Sequence, residues 1–133
     1  MLSNVAPCVF DDPIDVEAAT GFLADPRHFL AVALDEGLVV GFASAVVYLH
    51  PDKPRPELWI NEVGVAPSHR RRGIARELLG SLFDAGGEAG CAEAWVLTDR
   101  SNEPAMHLYA SAGGEPTADV VMFTFSLDHA TRG

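Results

Sequence analysis

Four of the chain's nine Lys and Arg residues, Arg70, Arg71, Arg72 and Arg76, fall in one seven-residue stretch of a protein whose formal net charge is −10. The same stretch holds Gly73 and Ala75, which have little or no side chain, where a helix-like apolar run begins near Ile74. Small residues at a helix start let backbone N–H groups approach a ligand at the positive end of the helix dipole, which favours phosphate. An arginine run that only solvates a turn is the bland alternative. Gly73 and Ala75 favour a site for a phosphorylated ligand, with the backbone of Arg71 through Arg76 as donors and guanidinium groups adding charge and bidentate contacts. Arg70 and Arg72 alternate in the turn, and the sequence does not say which faces the ligand.

Just upstream, Glu57 to Val65 reads as a strand. Strict alternation puts Glu62 on the face of Leu58 and Ile60, burying a carboxylate unless a bulge turns it outward. A partly desolvated carboxylate has a raised pKa and accepts a proton near neutrality, whereas a paired one is merely structural. Gly64, inside the same strand, fits a bulge or a close approach, or simple packing under a neighbour.

The elements that position these residues follow from periodicity. Residues 1–12 read as irregular, with at most a short strand around Val9-Phe10. Asp12 and Pro13 read as the cap and first residue of a helix running to about Ala24 and burying Val16, Ala19, Phe22 and Leu23. Phe29 to Leu34 and Leu38 to Leu49 read as a hairpin around Asp35-Glu36-Gly37. His50 to Pro56, with three prolines, reads as a loop. After the basic turn, Ile74, Leu78, Leu79, Leu82 and Phe83 predict a helix that ends by Gly86-Gly87 or Gly90. Glu93 to Leu97 follows as a strand buried on both faces at Trp95 to Leu97. A helix from Asn102-Glu103-Pro104 stops at Gly113-Gly114, and Val120 to Leu127 is a last strand. This order predicts a mixed α/β sheet in a single domain over residues 1–133.

Composition narrows the partners. The acidic balance argues against nucleic acid and is compatible with a cationic substrate. No run approaches the roughly 18 apolar residues that span a bilayer, so no membrane partner is expected. The first residues show no basic segment followed by an apolar one, and Cys8 and Cys91 are far apart, without CxxC or zinc spacing. A cytoplasmic protein with reduced thiols and no metal is the expectation.

Two motifs resemble the GNAT acetyltransferases. One is Arg70-Arg71-Arg72-Gly73-Ile74-Ala75, matching the family's Arg/Gln-x-x-Gly-x-Gly/Ala turn and preceded by Val65-Ala66-Pro67. The other runs from Asn102 through Ala105, Leu108 and Tyr109 to Gly113. Either is weak alone; together, in this order, they are specific. Within the superfamily, Asn61 to Val65, Trp95 to Asp99 and Val121 to Phe125 are similar to the small aminoglycoside 3-N-acetyltransferases. The likeness spans roughly residues 14–127, with the family's first strand short or missing.

The resemblance implies a GNAT fold whose mixed sheet, flanked by helices, splays at the strand before the cofactor turn. It implies acetyl-CoA as donor, its pyrophosphate on Arg70, Arg71, Arg72, Gly73, Ile74, Ala75 and Arg76, and its pantetheine along Glu62, Val63, Gly64 and Val65. The Val65 N–H would face the thioester oxygen, Glu62 would take a proton from the amine, and Tyr109 would return one to the thiolate. Asn102 would bond pantetheine or cap its helix, readings that are compatible. Glu57, Asp99 and Asp119, with Glu62, would bind a cationic amine, an aminoglycoside by resemblance. Asp99 and Asp119 are also ordinary turn formers. Acetylation of a protein N-terminus, a lysine or a polyamine is the near alternative, and a non-catalytic coenzyme A-binding domain the distant one. Family members pair through C-terminal strands, which implies a homodimer. His50, His69 and His107 read as surface groups, and Trp59 and Phe123 as core or cleft wall.

Overall fold

A computed structural model describes residues 2–128. Helix α1 (Val16–Ala24) is followed by β1 (His28–Asp35), β2 (Leu38–Tyr48) and β3 (Glu57–Val65). Then come a 3-10 turn (Pro67–His69), α2 (Ile74–Glu88), β4 (Ala94–Val96) and α3 (Glu103–Ser111). The four strands form one sheet in chain order, with β1–β2 and β2–β3 antiparallel and β3–β4 parallel. This is the mixed sheet flanked by helices that the sequence predicts.

The β1–β2 turn closes on Glu36 and Gly37, both at positive φ (50° and 82°), the type I′ geometry that matches strand twist. Helix α2 packs across one sheet face through Leu78, Leu79 and Leu82, against Ala43, Ala45, Leu58 and Ile60. The fit is close: a Cβ on Gly86 would lie 2.8 Å from Leu58 Cδ2. A second cluster, Ala6, Val9, Val39, Val40, Phe42 and Ala66, ties the N-terminal segment to the sheet, with the Phe10 ring stacked on Phe42.

Several expectations need correction. Helix α1 starts three residues later than expected. Asp15, rather than Asp12, accepts from the Ala18 N–H at 3.0 Å and so sets the start. Val16 and Leu23 are exposed, because α1 leans mainly on β1, through Phe22 stacked on His28. No strand forms at Val9-Phe10; a single parallel bridge, Val5 to Val39, stands near the chain start. Helix α2 runs through Gly86-Gly87, and Gly90 (φ 91°) follows its end. Strand β4 is only three residues long, and Leu97 beyond it is 47% exposed, so this strand is not buried on both faces.

The largest difference is the last strand. Val120 to Leu127 pairs with no strand of the described residues, and Val120, Val121, Met122, Phe123, Phe125 and Leu127 are 61–79% exposed. The residues have strand propensity, but they join none of the sheet's edges and are covered by no other element among the described residues.

Candidate active site

The cleft is made where β3 and β4 part. Strand β3 is paired with β2 along its length but with β4 only from Leu58 to Ile60. Beyond Ile60 the outer edge of β3 is open. Ala66 N–H donates to Val40 O, toward β2. Because N–H groups alternate along a strand, those of Val63 and Val65 point to the open edge. The Val65 carbonyl points the same way and accepts from Arg70 Nε at 3.2 Å.

Glu62 reaches this cleft through a register shift. Ser44 pairs with Glu62 and Ala45 with Ile60, leaving Asn61 as the extra residue. The bulge inverts the parity of β3, so Glu62 leaves the α2 face and joins the face of Ser44 and Phe42. The carboxylate is exposed in the cleft, not partly desolvated as expected. Gly64 has a packing reason: a Cβ there would lie 2.2 Å from Val9 O and 2.9 Å from Phe42 Cε1.

The basic turn closes the cleft's other side. Arg71 (φ 64°) and Gly73 (φ 77°) are both left-handed, and Gly73 is the N-cap of α2. Alternating left-handed residues curl successive N–H groups into an anion-binding concavity. Glu77 N–H is the first to bond back, to Gly73 O, and no side chain caps the helix among the described residues. The N–H groups of Ile74, Ala75 and Arg76 therefore remain available at the positive helix end.

One cleft of about 1080 Å³ gathers Glu62, Val63, Gly64, Val65, Arg70, Arg71, Gly73, Ile74, Ala75, Arg76, Asn102 and Tyr109. Arg72 instead lines a separate cavity of about 500 Å³ between α2 and the β1–β2 hairpin. The alternation in the turn is thereby resolved: Arg70 faces the cleft and Arg72 does not. Burial pushes the Tyr109 phenol above its usual value of 10.0. Asn102 Oδ1 caps α3 by accepting from Ala105 N–H at 3.2 Å, leaving Nδ2 to donate elsewhere.

The remaining carboxylates expected at the site do not line this cleft. Glu57 accepts from Trp95 Nε1 at 3.1 Å and lies 3.4 Å from His50 Nε2, beside the stacked Trp59 and Trp95 rings. Asp99 accepts from Ser101 Oγ at 3.2 Å, and Asp119 sits in an exposed turn at φ 63°. Conversely, Cys8, Val9, Asp11, Asn61, Thr98, His69 and His107 line the cleft without having been expected there. No short-range pattern carries the N-terminal residues to β3; only the Val9–Gly64 approach does. His107 was legible in principle, since Pro104, His107, Leu108 and Ser111 recur at helical spacing on α3.

The chain's relatives agree with this architecture. The model of the acetyltransferase (GNAT) family matches residues 4–113. Streptothricin acetyltransferase of Streptomyces lavendulae is 38% identical over 97 residues, which cover 73% of this chain and 49% of that one. Aminoglycoside N(6')-acetyltransferase type 1 of Salmonella typhimurium is 27% identical over 95 residues, 69% of this chain and 66% of that one. The chain thus spans about half the length of the first of these relatives and less than two thirds of the second's. An aminoglycoside acetyltransferase from an uncultured soil metagenomic sample, crystallised with sisomicin, superposes with a TM-score of 0.79 at 25% identity. The match covers 90% of this chain and 78% of that one.

Proposed function

The chain belongs to the GNAT acetyltransferase family, and from that premise we propose that it transfers the acetyl group of acetyl-CoA to an amine of a small cationic molecule. The observation that carries this reading is the meeting, in one cleft, of uncapped helix N–H groups, three arginines and the open edge of β3. The N–H groups of Ile74, Ala75 and Arg76, with Arg70, Arg71 and Arg76 side chains, suit a pyrophosphate; the Val63–Val65 edge suits the amides of pantetheine.

In the proposed mechanism both substrates are held at once. Glu62 attracts the ammonium and takes its proton, directly or through water, freeing the lone pair for attack on the thioester. The Val65 N–H donates to the developing oxyanion, a contribution of about 3 kcal/mol for such a preorganised donor. As the C–S bond breaks, Tyr109 donates to the departing thiolate and is restored by the second proton that the attacking nitrogen sheds. An ordinary thiol value near 8.5 lies below the phenol's, so full transfer is uphill by about 2 kcal/mol or more, a modest addition to the barrier. The raised phenol in turn stays protonated, and able to donate, throughout the neutral range.

For the acceptor, Asp11 and Glu62 are the carboxylates that border the cleft, and they replace Glu57, Asp99 and Asp119 in the proposed cation-binding wall. An aminoglycoside-like polycation fits this wall and the names of the relatives. The relatives do not carry the 3-N position that the resemblance implied: the Salmonella one is named for the 6' position and the Streptomyces one for streptothricin, so the proposal names no particular nitrogen. Free-thiol release from acetyl-CoA with aminoglycosides, streptothricin, polyamines and peptides tests the proposal, and NMR of the product assigns the nitrogen. Tight acetyl-CoA binding with no thiol release for any amine would leave only a coenzyme A-binding domain. Release with peptides alone would move the acceptor to protein amines.

The exposed segment Val120 to Leu127 supports a homodimer as part of this reading. Asp119 is the sole charge between residues 116 and 127, so two copies of an otherwise acidic chain can bring these segments together with little repulsion. Sedimentation should give a dimer for the native chain and a monomer after Phe123→Asp with Phe125→Asp. A monomeric native chain ends the dimer proposal.

A further inference from the structure

His69 uses both of its ring nitrogens. Nε2 lies 2.7 Å from Asp35 Oδ2, and Nδ1 lies 2.7 Å from Ser68 Oγ. Asp35 is the last residue of β1, against the type I′ turn; His69 is the last residue of the 3-10 turn that runs straight into Arg70. The contact therefore joins two points 34 residues apart and spans from the hairpin tip to the threshold of the basic turn. His69 also borders both cavities: the cleft with Arg70 and Arg71, and the smaller cavity with Asp35, Arg72 and Glu77.

The turn needs such a hold. Arg71 adopts positive φ without being glycine, a conformation that persists only when the surroundings impose it. Arg70 Nε binds Val65 O, but that tether stays within the adjoining strand. The Asp35 contact ties the turn's approach to a different element. The Asp35 side chain is 53% exposed, so the pair adds little to global stability. Its effect falls on which conformations the turn populates.

We propose that Asp35 and His69 form a strut that presets the Arg70–Gly73 turn, making them positioning residues for acetyl-CoA binding and not for the chemistry. The inference rests on the acetyl-CoA reading above. Loss of a strut lowers the binding-competent fraction, and apparent affinity falls by the same factor.

Coenzyme A affinity by calorimetry, melting temperature, and amide hydrogen exchange of the unliganded protein test it in Asp35→Ala, His69→Ala and the double variant. Each single change should weaken coenzyme A by up to about fivefold, the upper end for a half-exposed charge pair. The double variant should lose no more than either single one, because both remove the same link. Asp35→Asn, which keeps an acceptor oxygen, should recover part of the affinity. Exchange should quicken at residues 70–76 and not in the body of α2, with the melting temperature lowered by only a few degrees and, in Asp35→Ala, kcat at saturating acetyl-CoA unchanged. Unaltered affinity, additive losses, or exchange that quickens in the body of α2 as much as at residues 70–76 would overturn the strut. If the native chain binds no coenzyme A, the acetyl-CoA reading fails by itself, and the exchange of residues 70–76 still decides whether the strut exists.

Discussion

Gly73 allows the phosphate-site argument to be separated from ordinary backbone strain. It sits at φ 77° and ψ 9° as the N-cap of α2, and a Cβ added to it meets no atom within 4 Å. Gly73→Ala therefore introduces no collision within the protein. The substitution costs about 1–2 kcal/mol of stability, because an L-residue is forced into the left-handed region. Gly73 itself lines the cleft, where the proposed pyrophosphate approaches the uncapped N–H groups, so an added methyl stands in the way of that approach. Losing one or two charge-assisted hydrogen bonds of about 1.5–3 kcal/mol each, partly compensated by relaxation, predicts roughly 10- to 100-fold weaker coenzyme A binding. Gly90 is a matched control: φ 91°, no atom within 4 Å of an added Cβ, and about 22 Å away beyond the other end of the 15-residue helix. Gly90→Ala should lose similar stability by urea denaturation and keep its coenzyme A affinity by calorimetry. Equal affinities for the two variants would refute the claim that the ligand lies against the backbone at Gly73.

Glu62→Gln should lower kcat by about 100-fold or more with coenzyme A affinity unchanged, since general-base contributions are of that order; unchanged turnover at neutral pH removes Glu62 from proton handling. Gly64→Ala drives a Cβ to 2.2 Å from Val9 O, so it should cost about 1–3 kcal/mol and make the segment around Val9 more susceptible to proteolysis. A urea midpoint equal to the native one would show that the close approach is not required. The Arg27 side chain, bonded to Asp25, and the Arg27 backbone N–H hold the Asp25 carboxyl at about 2, down from 3.8. The folded value is the lower one, so this contribution is present above pH 3.8 and lost as pH falls through about 2. Asp25→Asn should flatten that part of the acid-unfolding curve, and an identical curve would show that the pair contributes nothing.

Much of the site was readable because its signals are local. The clustering of Arg70 to Arg76, the glycine at the start of α2 and the Asn102 to Tyr109 spacing all lie within single turns or helices. Side-chain spacing fixes faces there without reference to the rest of the chain. The hairpin around Glu36-Gly37 was legible for the same reason, since two residues at positive φ largely dictate the turn.

What escaped the sequence depends on contacts between distant segments. The bulge at Asn61 is visible only in the register with β2, and it alone carries Glu62 to the cleft instead of the core. Asp99 and Asp119 look like binding groups until the cleft is seen to close without them, while Asp11 enters it because Val9 packs over Gly64. Val120 to Leu127 has the composition of a strand, yet strand formation needs a partner edge, and composition does not supply one. The sequence by itself determined the chemistry available and the donor it suits, since those rest on residue types at short spacing. Only the tertiary structure decided which carboxylates and arginines line the cleft, because register and packing, not spacing, set the direction in which a side chain points.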